Sequence, residues 1–204
     1  ALIEAALGDT ARAQQRLDHV ATLTPESATL WLVNARLALN TGDYSAARQA
    51  ARQGLALAPD DVRFILLLAQ AEIRLNNISA AEIQTDALLE SHGGNEDLRV
   101  SLAQLYLEEG HPEPAKRLLQ PLMGQPEVPN LAYYLLGAIA QSKGETDNAL
   151  IYYRQVSEGD EFLPARAAAA QMLIEEDRLL DARAFLRIER MRFDRYFTEL
   201  VMLE

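Results

Sequence analysis

The chain has no cysteine, so disulfides and thiolate metal sites are excluded. It has little lysine: of nineteen basic residues only Lys116 and Lys143 are lysines. Basic charge as a whole is outweighed by thirty acids, and the net charge of −11 opposes nucleic-acid phosphate and anionic lipid, both of which need a basic surface. Aromatics are scarce at 6% of the residues. There is no run of eighteen apolar residues, hence no membrane-spanning segment of that kind. Phosphate-cradling Gly-rich loops, G-x-S-x-G elbows and H-E-x-x-H pairs are missing too. The histidines, His19, His92 and His111, have no metal-ligand spacing. The acid runs Glu158-Gly159-Asp160-Glu161 and Glu175-Glu176-Asp177 lack the alternating spacing of a calcium loop. These absences point to a chain without cofactor or metal that is not an enzyme.

What is abundant is Ala and Leu, both strong helix formers, within a 49% hydrophobic composition. They are arranged with a period. Gly8, Gly42, Asn76, Gly110, Gly144 and Asp177 stand 34, 34, 34, 34 and 33 residues apart. Gly, Asn and Asp are the types that tolerate the left-handed backbone of a tight helix–helix turn. Five residues after each turn comes an alanine: Ala13, Ala47, Ala81, Ala115, Ala149 and Ala182. Seven before it comes a small residue: Ala1, Ala35, Ala69, Ala103, Gly137 and Ala170. Two antiparallel helices crossing beside a short turn need small side chains where their backbones approach.

Larger apolar residues surround these columns, with Ile3, Leu37, Ala71, Leu105, Ile139 and Met172 five before the turn. Leu17, Ala51, Thr85, Leu119, Tyr153 and Leu186 stand nine after it, and Val20, Leu88, Leu122 and Val156 share that face. Spacings of three, four and seven mark amphipathic helices. Pro25 and Pro59 punctuate the breaks between repeats, as do Gly93-Gly94, Pro126 to Pro129 and Gly159. Ser27 and Asp60 or Asp61 are candidate N-caps.

A 34-residue helix–turn–helix period resembles the tetratricopeptide repeat family. Trp31, Ala35, Gly42, Tyr44, Ala47 and Pro59 fall where that family places those types, and Tyr133 to Gly137, Gly144, Ala149 and Tyr153 form a second match. The resemblance implies an all-α fold, a right-handed superhelical α-solenoid. The expected organisation is one solenoid over residues 1–204: a partial repeat 1–27, repeats 28–61, 62–95, 96–129, 130–162 and 163–196, and the start of another at 197–204. The chain opens at Ala1 inside a repeat and closes within the apolar run Phe197 to Leu203, so both ends read as cut and homo-oligomerisation through the end helices is an expectation.

In this family the first helices line a concave groove, which the resemblance carries onto positions ten, six, three and two before each turn. Leu32, Leu66, Val100 and Tyr134 stand ten before, and Leu39, Ile73 and Leu107 three before, forming one apolar stripe that suits an apolar peptide or amphipathic helix. Tyr134, with its polar tip, is expected to be exposed. Arg36, Gln70 and Gln104 stand six before, and Arg74 and Glu108 two before. Arg36, Arg63 and Arg74 make the early groove basic, while Asp97, Glu108 and Glu175 make the later one acidic, so a bound segment is expected to set its acidic part toward Arg36 and Arg74. The same stripe fits ordinary packing between neighbouring first helices. Lys116 and Lys143 fall outside every groove column, which argues against the carboxylate clamp by which some relatives hold a chaperone tail.

The expected function is therefore a non-catalytic scaffold or adaptor for a protein or peptide partner. Tyr133 to Gly137, Tyr152 to Val156 and Leu163 to Arg166 resemble bacterial envelope repeat lipoproteins, some of them protease adaptors and others assembly proteins of pili or polysaccharide export. That favours the periplasm or envelope over the cytoplasm. The regulatory repeat region of a larger enzyme and a self-assembly module fit the same residues. The arginines from Arg178 to Arg195 are either a solvated edge or a docking patch for an acidic partner.

Overall fold

A computed structural model describes residues 15–16, 19–20, 24, 26–92 and 94–204. The expectations at Ala1, Ile3, Gly8, Ala13, Leu17, Pro25 and Gly93, and most of the partial repeat 1–27, lie outside the described residues. Gln15, Arg16, His19 and Val20 are helical, and from Ala28 onward there are eleven α-helices with no strand among the described residues. The fold is an all-α helical-repeat solenoid. The chain divides into two compact units, Ala1–Asn95 and Glu96–Glu204.

In the first unit α1 (Ala28–Thr41), α2 (Tyr44–Leu57), α3 (Val62–Arg74) and α4 (Ile78–Ser91) pack each on the next, and α1 also touches α3. The second unit holds α5 (Glu96–Glu108), α6 (Pro112–Leu119), α7 (Asn130–Ser142), α8 (Thr146–Gln155), α9 (Phe162–Glu175), α10 (Leu179–Arg192) and α11 (Phe197–Leu203). There too the odd-numbered helices touch in succession, α5 with α7, α7 with α9 and α9 with α11. The first helices of the repeats thus form a layer within each unit.

The turns are made as the period predicts. Gly42, Asn76, Gly110, Gly144 and Asp177 all have φ between 60° and 81°. The reversal lets the next amide reach back over the helix end: Asp43 N–H donates to Ala38 O at 2.9 Å, Asn77 to Glu72, His111 to Tyr106, Glu145 to Ala140 and Arg178 to Leu173. Each bond satisfies a carbonyl that the helix end leaves without a partner. Ser27 caps α1 and Asp61, not Asp60, caps α3, accepting from the amides of Leu30 and Arg63. The Arg63 guanidinium also binds the Asp61 carboxylate and holds its carboxyl below the usual range.

Among the described residues the alanine column after the turns (Ala47, Ala81, Ala115, Ala149, Ala182) is buried, as is the small column before them (Ala35, Ala69, Ala103, Gly137, Ala170). Two glycines are matched to aromatic rings. A β-carbon on Gly54 of α2 would lie 2.0 Å from the ring of Phe64 on α3, and one on Gly137 of α7 would lie 2.6 Å from the ring of Tyr153 on α8. Phe64 is wholly buried against Gly54, which contributes about 1.5–3 kcal/mol by area.

Candidate functional site

The first helices α1, α3, α5 and α9 each carry a polar ridge at four-residue spacing, six and two residues before the turn, which α7 interrupts with Ala138. In the first unit Arg36 and Asn40 on α1 and Arg74 on α3 are exposed, and Gln70 is half-buried. The Arg74 guanidinium is held by Tyr44, donating to its hydroxyl at 3.3 Å and lying 5.6 Å from its ring centroid. Arg36 has no hydrogen bond or ion pair to a described residue. In the second unit Gln104 and Glu108 on α5 are exposed and joined, amide to carboxylate, at 2.9 Å. Gln171 and Glu175 on α9 repeat that bond at 2.9 Å.

The apolar stripe beside this ridge differs from the expectation at three places. Leu32, Ile73 and Val100 are buried at 7, 2 and 4% exposure, so their side chains serve packing and do not line a groove. All three are taken up in the packing of helices within their own units. Leu39 and Leu66 in the first unit, and Leu107 and Tyr134 in the second, stay half-buried. Tyr134 is less open than expected because its ring tilts against Tyr153, with centroids 5.9 Å apart. Lys116 is half-buried on α6, and Lys143 is bonded to Glu113.

Two buried acids escaped the reading of the sequence. Glu72 on α3 is 2% exposed and accepts from Arg52 of α2 at 2.9 Å and from Asn77 at 2.8 Å, with Arg48 at 3.7 Å. Glu189 on α10 is wholly buried against Arg166 of α9, whose Nε donates to Oε2 at 2.9 Å while Nη2 lies 2.8 Å from the same oxygen. Arg166 Nη1 donates to the carbonyls of Tyr153 and Val156 at 2.7 and 2.8 Å, so this one cation also closes the end of α8. Its guanidinium lies 4.1 Å from the Phe162 centroid, and Phe193 and Tyr196 pack on that ring. Burial pushes the Arg166 pKa down, against the pull of Glu189. A signal was present: Glu72 stands in the column Ala38, Tyr106, Ala140, Leu173, and Glu189 in the column Gly54, Leu88, Leu122, Val156. A charge in an otherwise apolar column implies a buried partner.

Among the described residues no three His, Cys, Asp or Glu cluster to hold a metal, and no helix is long and apolar enough to cross a membrane. What the face offers is shape, a few half-buried apolar side chains and placed charge. Such features are among those by which a surface can hold a peptide.

A comparison with curated proteins gives no match. Among solved structures the chain is similar to PilW, a widely conserved type IV pilus biogenesis factor, at 16% identity with TM-score 0.60, covering 95% of this chain and 90% of that one. It is similar to MamA at 18% identity and TM-score 0.57, covering 85% and 96%. YrrB, described as a repeat protein with an unusual peptide-binding site, aligns at 18% identity and TM-score 0.53, covering 84% and 89%. At such identities the likeness is one of fold. Sequence profiles of the tetratricopeptide repeat match residues 4–64 and 41–93, and a second such profile matches residues 131–158. With these profiles, the 34-residue turns and the buried alanine columns in agreement, the chain belongs to the tetratricopeptide repeat family.

Proposed function

We propose that the chain is a protein-interaction scaffold that holds a peptide segment against the first-helix face of its repeats, with an acidic stretch set on the ridge of Arg36 and Arg74. The observation that carries this is the pairing of an unengaged Arg36 with an Arg74 already oriented by Tyr44, beside half-buried Leu39 and Leu66. An oriented cation loses little freedom on binding a carboxylate. Gln70 on the same ridge adds a donor and an acceptor. YrrB, similar in fold, lends support as a repeat protein with a peptide-binding site.

The test is fluorescence anisotropy with labelled peptides carrying alternating Leu and Glu, against matched peptides carrying Leu and Lys. The parent chain is expected to prefer the acidic peptide, and R36E/R74E to lose that preference. Equal affinity of parent and variant for the acidic peptide refutes this placement.

A narrower reading makes the scaffold a bacterial envelope assembly protein or protease adaptor. It is supported by the resemblance carried by Tyr133 to Gly137, Tyr152 to Val156 and Leu163 to Arg166. Cell fractionation with crosslinking tests it, and recovery only with cytoplasmic partners overturns it. Self-assembly is a second reading, favoured by the exposure of Phe197, Val201 and Met202 on α11. A sedimentation coefficient independent of concentration would remove it.

A further inference from the structure

The repeats serve as controls for one another on the outward side of their second helices. Three residues after the turn the first four full repeats have Ser45, Ser79, Glu113 and Asp147; eleven after it, Gln53, Ala87, Pro121 and Gln155; fourteen after it, Ala56, Glu90, Gly124 and Glu158. All are exposed, and none is a large apolar residue; seven after the turn, where α10 has Ala184, α4 and α8 each have one exposed isoleucine, Ile83 and Ile151. On α10 the same three positions are Leu180, Ile188 and Met191, exposed at 80, 49 and 76%. With Ala184 they run along one ridge at spacings of four, four and three. This ridge lies away from Ala182, Phe185, Leu186 and Glu189, the buried side of α10.

Charge flanks the ridge. Arg183 and Arg187 are exposed, one helical turn apart, with no hydrogen bond or ion pair to any described residue. The neighbouring arginines are engaged: Arg178 with Asp181 and Glu176, Arg190 with Glu204, Arg192 with Glu189 and Arg195 with Glu158. In a chain of net charge −11, two unengaged cations beside an apolar ridge make a local field opposite to that of the whole.

We infer that the outward ridge of α10, Leu180, Ala184, Ile188 and Met191 flanked by Arg183 and Arg187, docks an amphipathic helix of a partner protein that carries acidic residues beside its apolar stripe. The apolar ridge spans eleven residue steps, about 16 Å, which is three turns of a partner helix. The partner's carboxylates meet Arg183 and Arg187, and its Leu or Ile side chains cover side chains that α10 leaves in water. A second copy of this chain is a poor occupant: two-fold antiparallel pairing of α10 sets Arg183 and Arg187 of one copy against those of the other. An anionic bilayer is also a poor one, because the rest of the chain repels it. This surface is separate from the first-helix face and stands whether or not that face binds peptide.

The test uses the whole chain and two synthetic helical peptides with one Leu stripe, flanked by Glu in one and by Lys in the other. The Glu peptide is expected to bind. R183E/R187E should weaken it by about tenfold or more and gain the Lys peptide, which is a change of specificity that misfolding cannot produce. L180S/M191S should weaken both, and the same α10 effects should persist in an R36E/R74E background, where the first-helix face no longer offers its two cations to an acidic peptide. All four α10 positions substituted are exposed, and matching thermal melts check that the variants fold. Failure of the Glu peptide to bind, or binding indifferent to the α10 substitutions, overturns the inference. So does a dimer in sedimentation velocity, or cosedimentation with phosphatidylglycerol vesicles, that L180S/M191S abolishes while peptide binding persists.

Discussion

Gly137 and Tyr153 are fitted to each other: a β-carbon on Gly137 would stand 2.6 Å from two carbons of the Tyr153 ring. In the other described repeats this position is Ala35, Ala69, Ala103 or Ala170, and the residue in Tyr153's column is Ala51, Thr85, Leu119 or Leu186. The one bulky ring in the column thus goes with the one missing methyl. Gly137→Ala is expected to destabilise the second unit, because overpacking costs about 1–3 kcal/mol while helix propensity returns at most about 1 kcal/mol. Adding Tyr153→Leu should recover stability, giving a coupling that urea denaturation of the four variants measures.

Tyr153 is also a pH probe. Its hydroxyl donates to Gln141 Oε1 at 2.7 Å, and burial holds its phenol well above the ordinary 10.0. A phenol whose folded pKa is raised contributes stability that is complete below the unfolded value and is lost as pH rises through the interval toward the folded one. Stability should therefore decline above about pH 10, and Tyr153→Phe should lessen that slope in melts across alkaline pH.

The Arg166–Glu189 pair binds three helices at once. Glu189→Leu leaves a buried guanidinium with two carbonyls and no carboxylate, and is expected to cost about 3–5 kcal/mol. Arg166→Met with Glu189→Leu should recover a large part of this, since a packed apolar pair replaces the ions. Chemical denaturation followed by Phe and Tyr fluorescence of the second unit measures both.

Asn76 and Asp177 sit at φ 60°, where the other turns have glycine. Asn76→Gly and Asp177→Gly should each relieve left-handed strain and raise stability, by at most about 1 kcal/mol. Thermal melts of the single variants read this directly, and a fall in the melting temperature would show that side-chain contacts at these turns outweigh the strain.

The period made the turns legible, because only a few residue types accept a left-handed backbone, and Asn76 and Asp177 kept the register where glycine was missing. The alanine columns were legible for a similar reason: close helix approach permits one answer. The candidate face was less so. Leu32, Ile73 and Val100 are aliphatic like Leu39, Leu66 and Leu107, and only the packing of the folded chain decides which is covered. Glu72 and Glu189 were hidden by counting acids as surface, although each broke an apolar column. The residues of the outward ridge of α10 are plain in the sequence, but only geometry separates the engaged arginines around it from Arg183 and Arg187.

The seat of Phe64 against Gly54 joins one repeat to the next, and so does the bond of Arg52 to Glu72. Repeats of equal length invite shuffling by recombination, since a whole unit can be cut and rejoined without breaking the period. Here the joints forbid it. Were the repeat bearing Phe64 placed after any other described one, its ring would meet Leu88, Leu122, Val156 or Glu189 where Gly54 now leaves room. Part of the order of the repeats is thereby written into their interfaces, and a duplication or transposition within the array would carry its own penalty.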